Sequence, residues 1–372
     1  MLYPTRIVAG LLAIALAGCA SAPPRGSAPP PDWSSKDLAL KAALARQPAT
    51  IIRLQPPAPI ARATAQGRYR AAAEPRHFDT TWVPLNLWCR ANGIGSLREV
   101  KLGQPTAFIL ATATGMLLLR PGSDSAEWHG VELRLGFPPK MVHGQPFVHA
   151  LDLEKTIEPL LSRPRERKSG AHRVIVIDPG HGGEDAGAPS VLGGHYEKEY
   201  TLDWARRLGR LLAPDGWRVY LTRTRDVDVP IAKRIAFADA HNADLFVSLH
   251  FNSAGSDKTQ EGLETYCLTP EGLPSSITRG YGDDPTLVFP NNAFDKSNFQ
   301  LACRVQRALL RVNGDRDRGV RRARFLGVLR GQHRPAVLIE GGYLSCPREA
   351  RLIAEPAYRE KLARAVARAL EE

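Results

Sequence analysis

The chain has 372 residues, of which 43% are hydrophobic, so it has room for two or three domains with apolar cores. Lys and Arg number 50 against 38 Asp and Glu, and the formal net charge of +12 favours an anionic partner. The sequence has no zinc-finger or RNA-binding motif, so another anionic partner, such as an anionic lipid surface, fits better than nucleic acid. A solvated surface explains many of the arginines equally well.

Residues 1–18 predict an export signal. Arg6 precedes the apolar stretch 7–17, which has the charged-then-apolar order of a secretory signal and is too short to span a bilayer as a helix. The tetrapeptide Leu-Ala-Gly-Cys at 16–19 resembles the lipobox of bacterial lipoproteins, which implies cleavage before Cys19 and lipidation of its thiol. The alternative is an ordinary signal peptide in which Cys19 has no role. We expect a lipid-anchored protein of the cell envelope, on the periplasmic or outer-membrane side.

Residues 19–78 are rich in Ala, Pro and Arg, a composition typical of a linker. A flexible coil of this length has a root-mean-square reach of roughly 40–45 Å. The linker would therefore hold the following domains away from a membrane surface.

Residues 79–161 predict a small α+β domain. An amphipathic helical pattern begins at Leu85 and ends at Gly93 and Gly95. Strand-like runs follow at 106–111, 116–120, 131–135 and 147–149, and a helical pattern at 151–161 closes the region. This order resembles a small stalk-like domain similar to the N-terminal domain of copper amine oxidases. We assign no metal to its histidines, because isolated histidines are more often structural.

A basic linker at 162–171 leads to a predicted α/β domain at 172–372, whose mainly parallel sheet is flanked by helices. Strand and helix patterns alternate through this domain. The strands are predicted at 173–177, 218–222, 244–249, 263–268, 325–329 and 336–339, and the helices at 200–213, 231–242, 298–312 and 357–370. Residues 269–297 interrupt the alternation, and a long irregular stretch within a compact domain is usually functional. We predict that this segment is a loop facing the substrate.

Polar residues close three of the apolar runs in this domain. His181 lies in Asp-Pro-Gly-His-Gly-Gly at 178–183, His250 follows the run 245–249, and Glu340 follows 336–339. Ligands bind in the crevice beyond the carboxyl ends of parallel strands, so these side chains are expected to converge. Glu197 precedes a helical pattern and can return to the same edge, although Glu199 competes for that position.

Two histidines and one carboxylate form the open donor set of a catalytic zinc site, and a second carboxylate can then take a proton from water. Glu184 and Asp185, beside His181, are acidic neighbours that compete for a role in the site, and both are expected to be solvent-exposed.

The ordered motifs resemble the zinc-dependent N-acetylmuramoyl-L-alanine amidases, a family of cell-wall hydrolases, over about residues 172–371. The motifs lie at 178–183, 197–198, 248–252, 319–320 with 328–330, and 335–345. The resemblance implies Zn²⁺ bound by His181, Glu197 and His250, with Glu340 as the general base. It also implies that Asn252 orders the turn after its strand or contacts the substrate.

The implied activity is hydrolysis of the amide between N-acetylmuramic acid and L-alanine in peptidoglycan. The alternatives are a zinc peptidase that cuts within stem peptides and an inactive peptidoglycan-binding lipoprotein, although a pure binder has no need of Glu340. Some members of the family carry an inserted regulatory helix where this chain has 269–297, but no amphipathic helix is visible there. The sequence does not identify a protein activator.

Four cysteines remain after the proposed lipidation site. An exported protein can pair them, and four cysteines allow three complete pairings. No Cys-x-x-Cys spacing occurs, so a thiolate metal site is not predicted, and buried free thiols are the simplest interpretation. These cysteines are Cys89, Cys267, Cys303 and Cys346.

Overall fold

The computed structural model describes residues 81–94, 97–100, 106–112, 114–162, 173–312, 314 and 316–371. The predicted signal peptide, with Cys19, and the linker at 19–78 lie outside the described residues, as does nearly all of the linker at 162–171. Among the described residues, no helix has both the length and the apolar character needed to cross a membrane.

The N-terminal part of the described chain is built mainly of short antiparallel strands, several of which bury only one face. The strands are β1 Trp82–Pro84, β2 Leu97–Val100, β3 Ala107–Ala111, β4 Met116–Leu119, β5 Ser125–Trp128, β6 Val131–Arg134, β7 Lys140–Val142 and β8 Gln145–His149. The helices are α1 Leu85–Ala91, α2 Ala150–Asp152, a π-helical turn Leu153–Ile157 and α3 Glu158–Leu161.

The C-terminal part alternates strands and helices, as the sequence predicts. Its strands are β9 Arg173–Pro179, β10 Trp217–Leu221, β11 Leu245–Asn252, β12 Leu263–Cys267, β13 Asp317–Arg322 and β14 Ala336–Tyr343. Its helices are α4 Glu197–Leu212, α5 Ile231–Ala240, a 3₁₀ helix Pro290–Phe294, α6 Asp295–Leu310, α7 Gly327–Arg330, α8 Pro347–Ala354 and α9 Pro356–Glu371.

The sheet of this part is mainly parallel and covered on both faces, which confirms the predicted α/β class. The order β10-β9-β11-β14-β12 has one antiparallel step, between β14 and β12. Every residue of β11 and β14 is buried, as expected of strands covered on both sides. One face packs against α4, α6 and α9, and the other against α5 and α7.

The strand predicted at 325–329 is wrong. The apolar residues Val328 and Leu329 lie instead in the short helix α7, where they fill the core behind the sheet. The strand of this region is β13, whose sequence Asp-Arg-Gly-Val-Arg-Arg has almost no apolar run. Its charged side chains are accommodated by specific partners, so hydrophobic periodicity could not reveal it.

The large sheet continues from β13 into the N-terminal strands. Val320 of β13 pairs with Leu133 of β6, which gives an eleven-stranded sheet ending at β2. A carboxylate oxygen of Asp317 accepts a hydrogen bond of 2.7 Å from the backbone N–H of Glu132. Gly319 lies so close to that strand that a Cβ would come within 2.5 Å of the Glu132 carbonyl oxygen. A separate domain at 79–161 therefore stays a prediction, and this region shares its sheet with the C-terminal part.

The four cysteines within the described part of the chain are buried and unpaired. Burial raises the pKa of Cys89 to about 11 and also raises that of Cys303. These thiols therefore stay protonated near neutral pH and are poor nucleophiles and metal ligands.

Candidate metal centre

Two histidines and one glutamate meet at the carboxyl edge of the sheet. His181 follows β9, His250 lies in β11, and Glu197 is the first residue of α4. One candidate ligand atom from each of the three lies within 4.8 Å of the other two. Glu197 Oε1 is 2.9 Å from His250 Nδ1, and Glu197 Oε2 is 3.1 Å from His181 Nε2. The sequence prediction that these residues converge agrees with this geometry.

Glu197 is fully buried and is held in place by backbone donors. The N–H groups of Ala188 and Phe251 donate to its two carboxylate oxygens, each at 3.0 Å. Burial alone would raise the pKa of Glu197, but the charges of His181 and His250 and the hydrogen bond to His250 hold it well below the usual range. The carboxylate is therefore ionised, and its negative charge can attract a cation.

The pKa of His181 is governed by the same carboxylate. Burial lowers this pKa, but the charge of Glu197 and the hydrogen bond to Asp185 together raise it to about 10. The surroundings of the imidazole thus strongly favour a positive charge. A metal cation would satisfy the same negative potential by replacing the proton.

The rings of His181 and His250 can lie this close to the surrounding backbone only because glycines stand next to them. His181 itself adopts a left-handed conformation with φ +62°. At Gly187 a Cβ would lie 2.7 Å from the His181 ring, and at Gly180 a Cβ would collide with the His250 imidazole. A larger residue at either position would push the two imidazoles apart.

Two buried arginines fix the loop that carries His181. Arg234 forms an ion pair of 2.7 Å with Asp178 and donates to the backbone carbonyl of His181 at 2.9 Å. Arg223 donates to the carbonyl of Gly180 at 2.8 Å. Burial raises the pKa of Asp178, but the charge of Arg234 outweighs it and keeps the carboxylate ionised. No sequence pattern identified Arg223 and Arg234 for this role, because their acceptors include backbone carbonyls distant along the chain.

Asp185 orients the His181 ring. Its carboxylate lies 2.8 Å from Nδ1, so Nδ1 carries the proton and Nε2 can offer its lone pair to a metal. The Asp185 side chain is 56% exposed, as the sequence predicts, but its contact with the ring was not predicted. Such an orienting carboxylate is a regular feature of metal-bound histidines.

Glu199, the competing carboxylate, points away from the cluster. Its side chain is 43% exposed and lies 2.6 Å from His195 Nδ1. It also accepts a hydrogen bond from the backbone N–H of Tyr196, at the start of α4. The structure therefore brings Glu197, and not Glu199, to the histidines.

Glu340 lies beside the cluster in the neighbouring strand. It stands opposite His250 in the pairing of β11 with β14, and it is 2% exposed. Its Oε2 atom has no hydrogen-bond partner among the described residues. Burial raises the pKa of Glu340 well above its usual value, and the nearby Glu197 carboxylate raises it further. This carboxylate is therefore able to hold a proton next to the cluster.

Asn252 and Glu264 extend the site beyond Glu340. Glu264 of β12 stands opposite Glu340, and it accepts hydrogen bonds from the Asn252 amide and, at 3.1 Å, from the Tyr343 hydroxyl. Glu264 was not predicted, although a charged residue within an apolar run was a signal that could have identified it.

Comparison with known proteins shows which family the chain resembles in sequence. A family model described as N-acetylmuramoyl-L-alanine amidase matches residues 175–372. The chain is 30% identical over 227 residues to the N-acetylmuramoyl-L-alanine amidase AmiA of Escherichia coli K12, covering 55% of this chain and 78% of that protein. It is 32% identical over 248 residues to the N-acetylmuramoyl-L-alanine amidase AmiC of Neisseria meningitidis serogroup B, covering 61% of this chain and 58% of that protein. Among solved structures, the amidase AmiC2 of Nostoc punctiforme matches with 30% identity and a TM-score of 0.45, covering 55% of this chain and 97% of that one.

Proposed function

Since the chain belongs to the N-acetylmuramoyl-L-alanine amidase family, we propose that it works with a zinc ion bound by His181, Glu197 and His250 and with Glu340 as general base. The reaction is hydrolysis of the amide bond between N-acetylmuramic acid and L-alanine in peptidoglycan. One observation carries the zinc proposal: two imidazoles and the Glu197 carboxylate lie together in a buried cluster. Beside them lies the carboxylate of Glu340, one oxygen of which has no hydrogen-bond partner among the described residues.

The donor set fits zinc. Two histidines and one glutamate are the ligands of many catalytic zinc sites that keep one position open for water. His181 Nε2 is buried and makes no hydrogen bond with any described group, although Glu197 Oε2 lies 3.1 Å away. A buried nitrogen left in this state is costly unless it binds something. A cation would also relieve the crowding of electron-rich atoms around Glu197.

The protein's own groups then perform the proton transfers. Bound zinc would supply a water of lowered pKa and would polarise the scissile carbonyl. Glu340 takes the proton of the attacking water and returns it to the departing amine of L-alanine. A carboxylate in this place suits both steps, because it lies beside the cluster and its Oε2 atom has no hydrogen-bond partner among the described residues. Asp185 and Arg234 keep His181 in place, so little reorganisation is needed during the reaction.

We predict that activity depends on the metal and releases L-alanine amino groups. Purified protein incubated with isolated peptidoglycan should generate new amino termini without new reducing ends, because an amide and not a glycosidic bond is cut. Dialysis against a chelator should abolish this release, and added zinc should restore it. Both effects are measured by amino-group and reducing-end assays on the same digest.

Three results would contradict parts of this proposal. Full activity in a verified metal-free sample would overturn the zinc mechanism. Amino termini of residues other than L-alanine would identify a peptidase that cuts within the stem. Binding to the polymer without release of any amino group would favour the inactive lipoprotein.

We also propose that the enzyme is attached to a membrane through lipidated Cys19, which places it in the envelope beside its substrate. Cys19→Ser should move the protein from the membrane fraction to the soluble fraction, because the thiol is the attachment point. Ser21→Ala, two residues further along the chain, should leave the partitioning unchanged. Immunoblots of separated fractions provide the measurement, and membrane retention of Cys19→Ser would favour an ordinary signal peptide.

A further inference from the structure

We propose that Arg279 binds a carboxylate of the stem peptide, on the alanine side of the bond that is cut. The inference rests on the proposed amidase function, and it concerns which peptides the site accepts. Arg279 belongs to segment 269–297, the stretch that the sequence predicts to face the substrate.

Arg279 is placed at the site by a strained turn. Its φ is +49° and that of the following Gly280 is +81°. Left-handed backbone in a residue with a side chain is unfavourable, and such strain concentrates at functional sites. The guanidinium carbon lies 5.4 Å from the Phe325 ring centroid, and Tyr281 stacks on the same ring at 5.7 Å. Aromatic faces thus support the cation from one side.

Two hydrogen-bond contacts of Arg279 place its guanidinium beside Asn252 and Tyr266, next to the candidate metal centre. Its Nη2 lies 3.5 Å from Asn252 Oδ1 and 3.4 Å from the Tyr266 hydroxyl, both of them neutral acceptors at long hydrogen-bond distances. The Asn252 amide nitrogen donates to Glu264, which turns its oxygen towards Arg279. A substrate carboxylate would add a charge-assisted bond to this guanidinium, which has five N–H donors and can bind a carboxylate in bidentate fashion.

The spacing from the cluster matches the substrate. His250 and Asn252 are two residues apart in β11, with a register shift between them in the pairing with β14, and two residues of strand span about 6.7 Å. In peptidoglycan the residue after L-alanine is a D-glutamate linked through its side chain, so its α-carboxylate is free. This carboxylate lies two residues beyond the scissile amide, at most about 7 Å away. With the scissile carbonyl at the histidines, a carboxylate at that distance would lie on the side of Asn252, which Arg279 contacts.

Positively charged side chains near Arg279 favour the binding of an anion on the side of Glu340 that faces β12 and β13. Arg318 and Arg321 of β13 each approach the Glu264 carboxylate to 3.7 Å, so the single negative charge there faces two positive ones. Arg279 adds a third, and its positive charge opposes the effect of burial on the pKa of Glu340. The basic groups therefore lie on the opposite side of Glu340 from the acidic Glu197, and the substrate would extend from one side to the other.

The test compares two substrates that differ by one charge. N-acetylmuramoyl-L-alanyl-D-isoglutamate carries the free α-carboxylate, and its isoglutamine counterpart carries a neutral amide at the same position. The wild-type enzyme should prefer the carboxylate form by about 10- to 100-fold in kcat/KM, the range expected for a charge-assisted contact. Arg279→Gln should lower kcat/KM for the carboxylate form to the level of the amide form and leave the amide form nearly unchanged.

Two further variants separate charge recognition from a structural role. Arg279→Lys keeps the charge and should retain part of the preference. Arg330→Gln removes a cation that lies over another aromatic ring, that of Phe289, and should not alter the preference.

Equal loss of Arg279→Gln activity on both substrates would assign Arg279 to loop structure and overturn the inference. So would a wild-type enzyme without any preference, a result that requires no variant to fold. If the wild type hydrolysed neither substrate, the proposed function itself would fail, and with it this inference.

Discussion

Glu340→Gln should lower turnover by at least about 10²- to 10⁴-fold, the range of general-base contributions, while the protein keeps its zinc and its substrate affinity. The amide has the same shape as the carboxylate but cannot accept a proton from water. Because Glu340 lies in the wall of the site and outside the cluster of candidate ligands, metal binding should not depend on its charge.

The same substitution should stabilise the metal-free protein near neutral pH. Burial and Glu197 raise the folded-state pKa of Glu340 above its unfolded value, so folding favours the protonated form. That contribution is fully present below the unfolded pKa and is lost as pH rises through the folded pKa. Near neutral pH, folding of the wild type must either bind a proton at Glu340 or bury a charge there, a cost that glutamine removes, so the Tm of the metal-free variant should rise.

Zinc content, rate and Tm measured on the same preparations test these expectations. Glu340→Asp keeps a carboxylate but retracts it by one methylene, so it should be slower than wild type and faster than Glu340→Gln. Loss of zinc from Glu340→Gln would show that this residue is a ligand. Undiminished turnover in that variant would require a different base.

The sequence was most informative where an apolar run ends in a polar residue. The runs before His250 and Glu340 become β11 and β14, which are neighbouring parallel strands, so their ends meet at one edge. Local pattern and the general geometry of parallel sheets were sufficient for that prediction. Glu197 was harder to assign, because Glu199 stands two positions away in the sequence. The structure distinguishes them, since Glu197 is buried and Glu199 is partly exposed.

The elements that the sequence did not reveal depend on partners far along the chain. Arg322 of β13 is buried, and its guanidinium donates to the Thr156 hydroxyl at 2.7 Å and to the carbonyl of Lys155 at 2.7 Å. A strand with such residues has no hydrophobic alternation to read. Arg223 and Arg234 resemble exposed residues for the same reason, although both are buried under the loop of His181.

Loss of one proposed ligand should remove zinc and activity together, and the neighbouring pair Glu197 and Glu199 offers the sharpest comparison. Glu197→Gln replaces a buried anion that contacts both histidines, so zinc affinity should fall by more than the roughly 10- to 100-fold typical of an orienting partner. His181→Ala and His250→Ala should behave in the same way. Glu199→Gln changes a partly exposed group that contacts His195 and should keep zinc and rate close to wild type.

The Glu197→Gln variant is expected to fold, so a loss of zinc in it can be distinguished from misfolding. Glu197 accepts hydrogen bonds from the N–H groups of Ala188 and Phe251, and the glutamine side chain still offers one oxygen, so the fold should survive with reduced stability. Zinc content by elemental analysis and hydrolysis rate are therefore compared on samples with matched circular dichroism. A folded Glu197→Gln protein that keeps full zinc, or a Glu199→Gln protein that loses it, would reverse the assignment of the two carboxylates, because only the ligand carries negative charge directly to the metal.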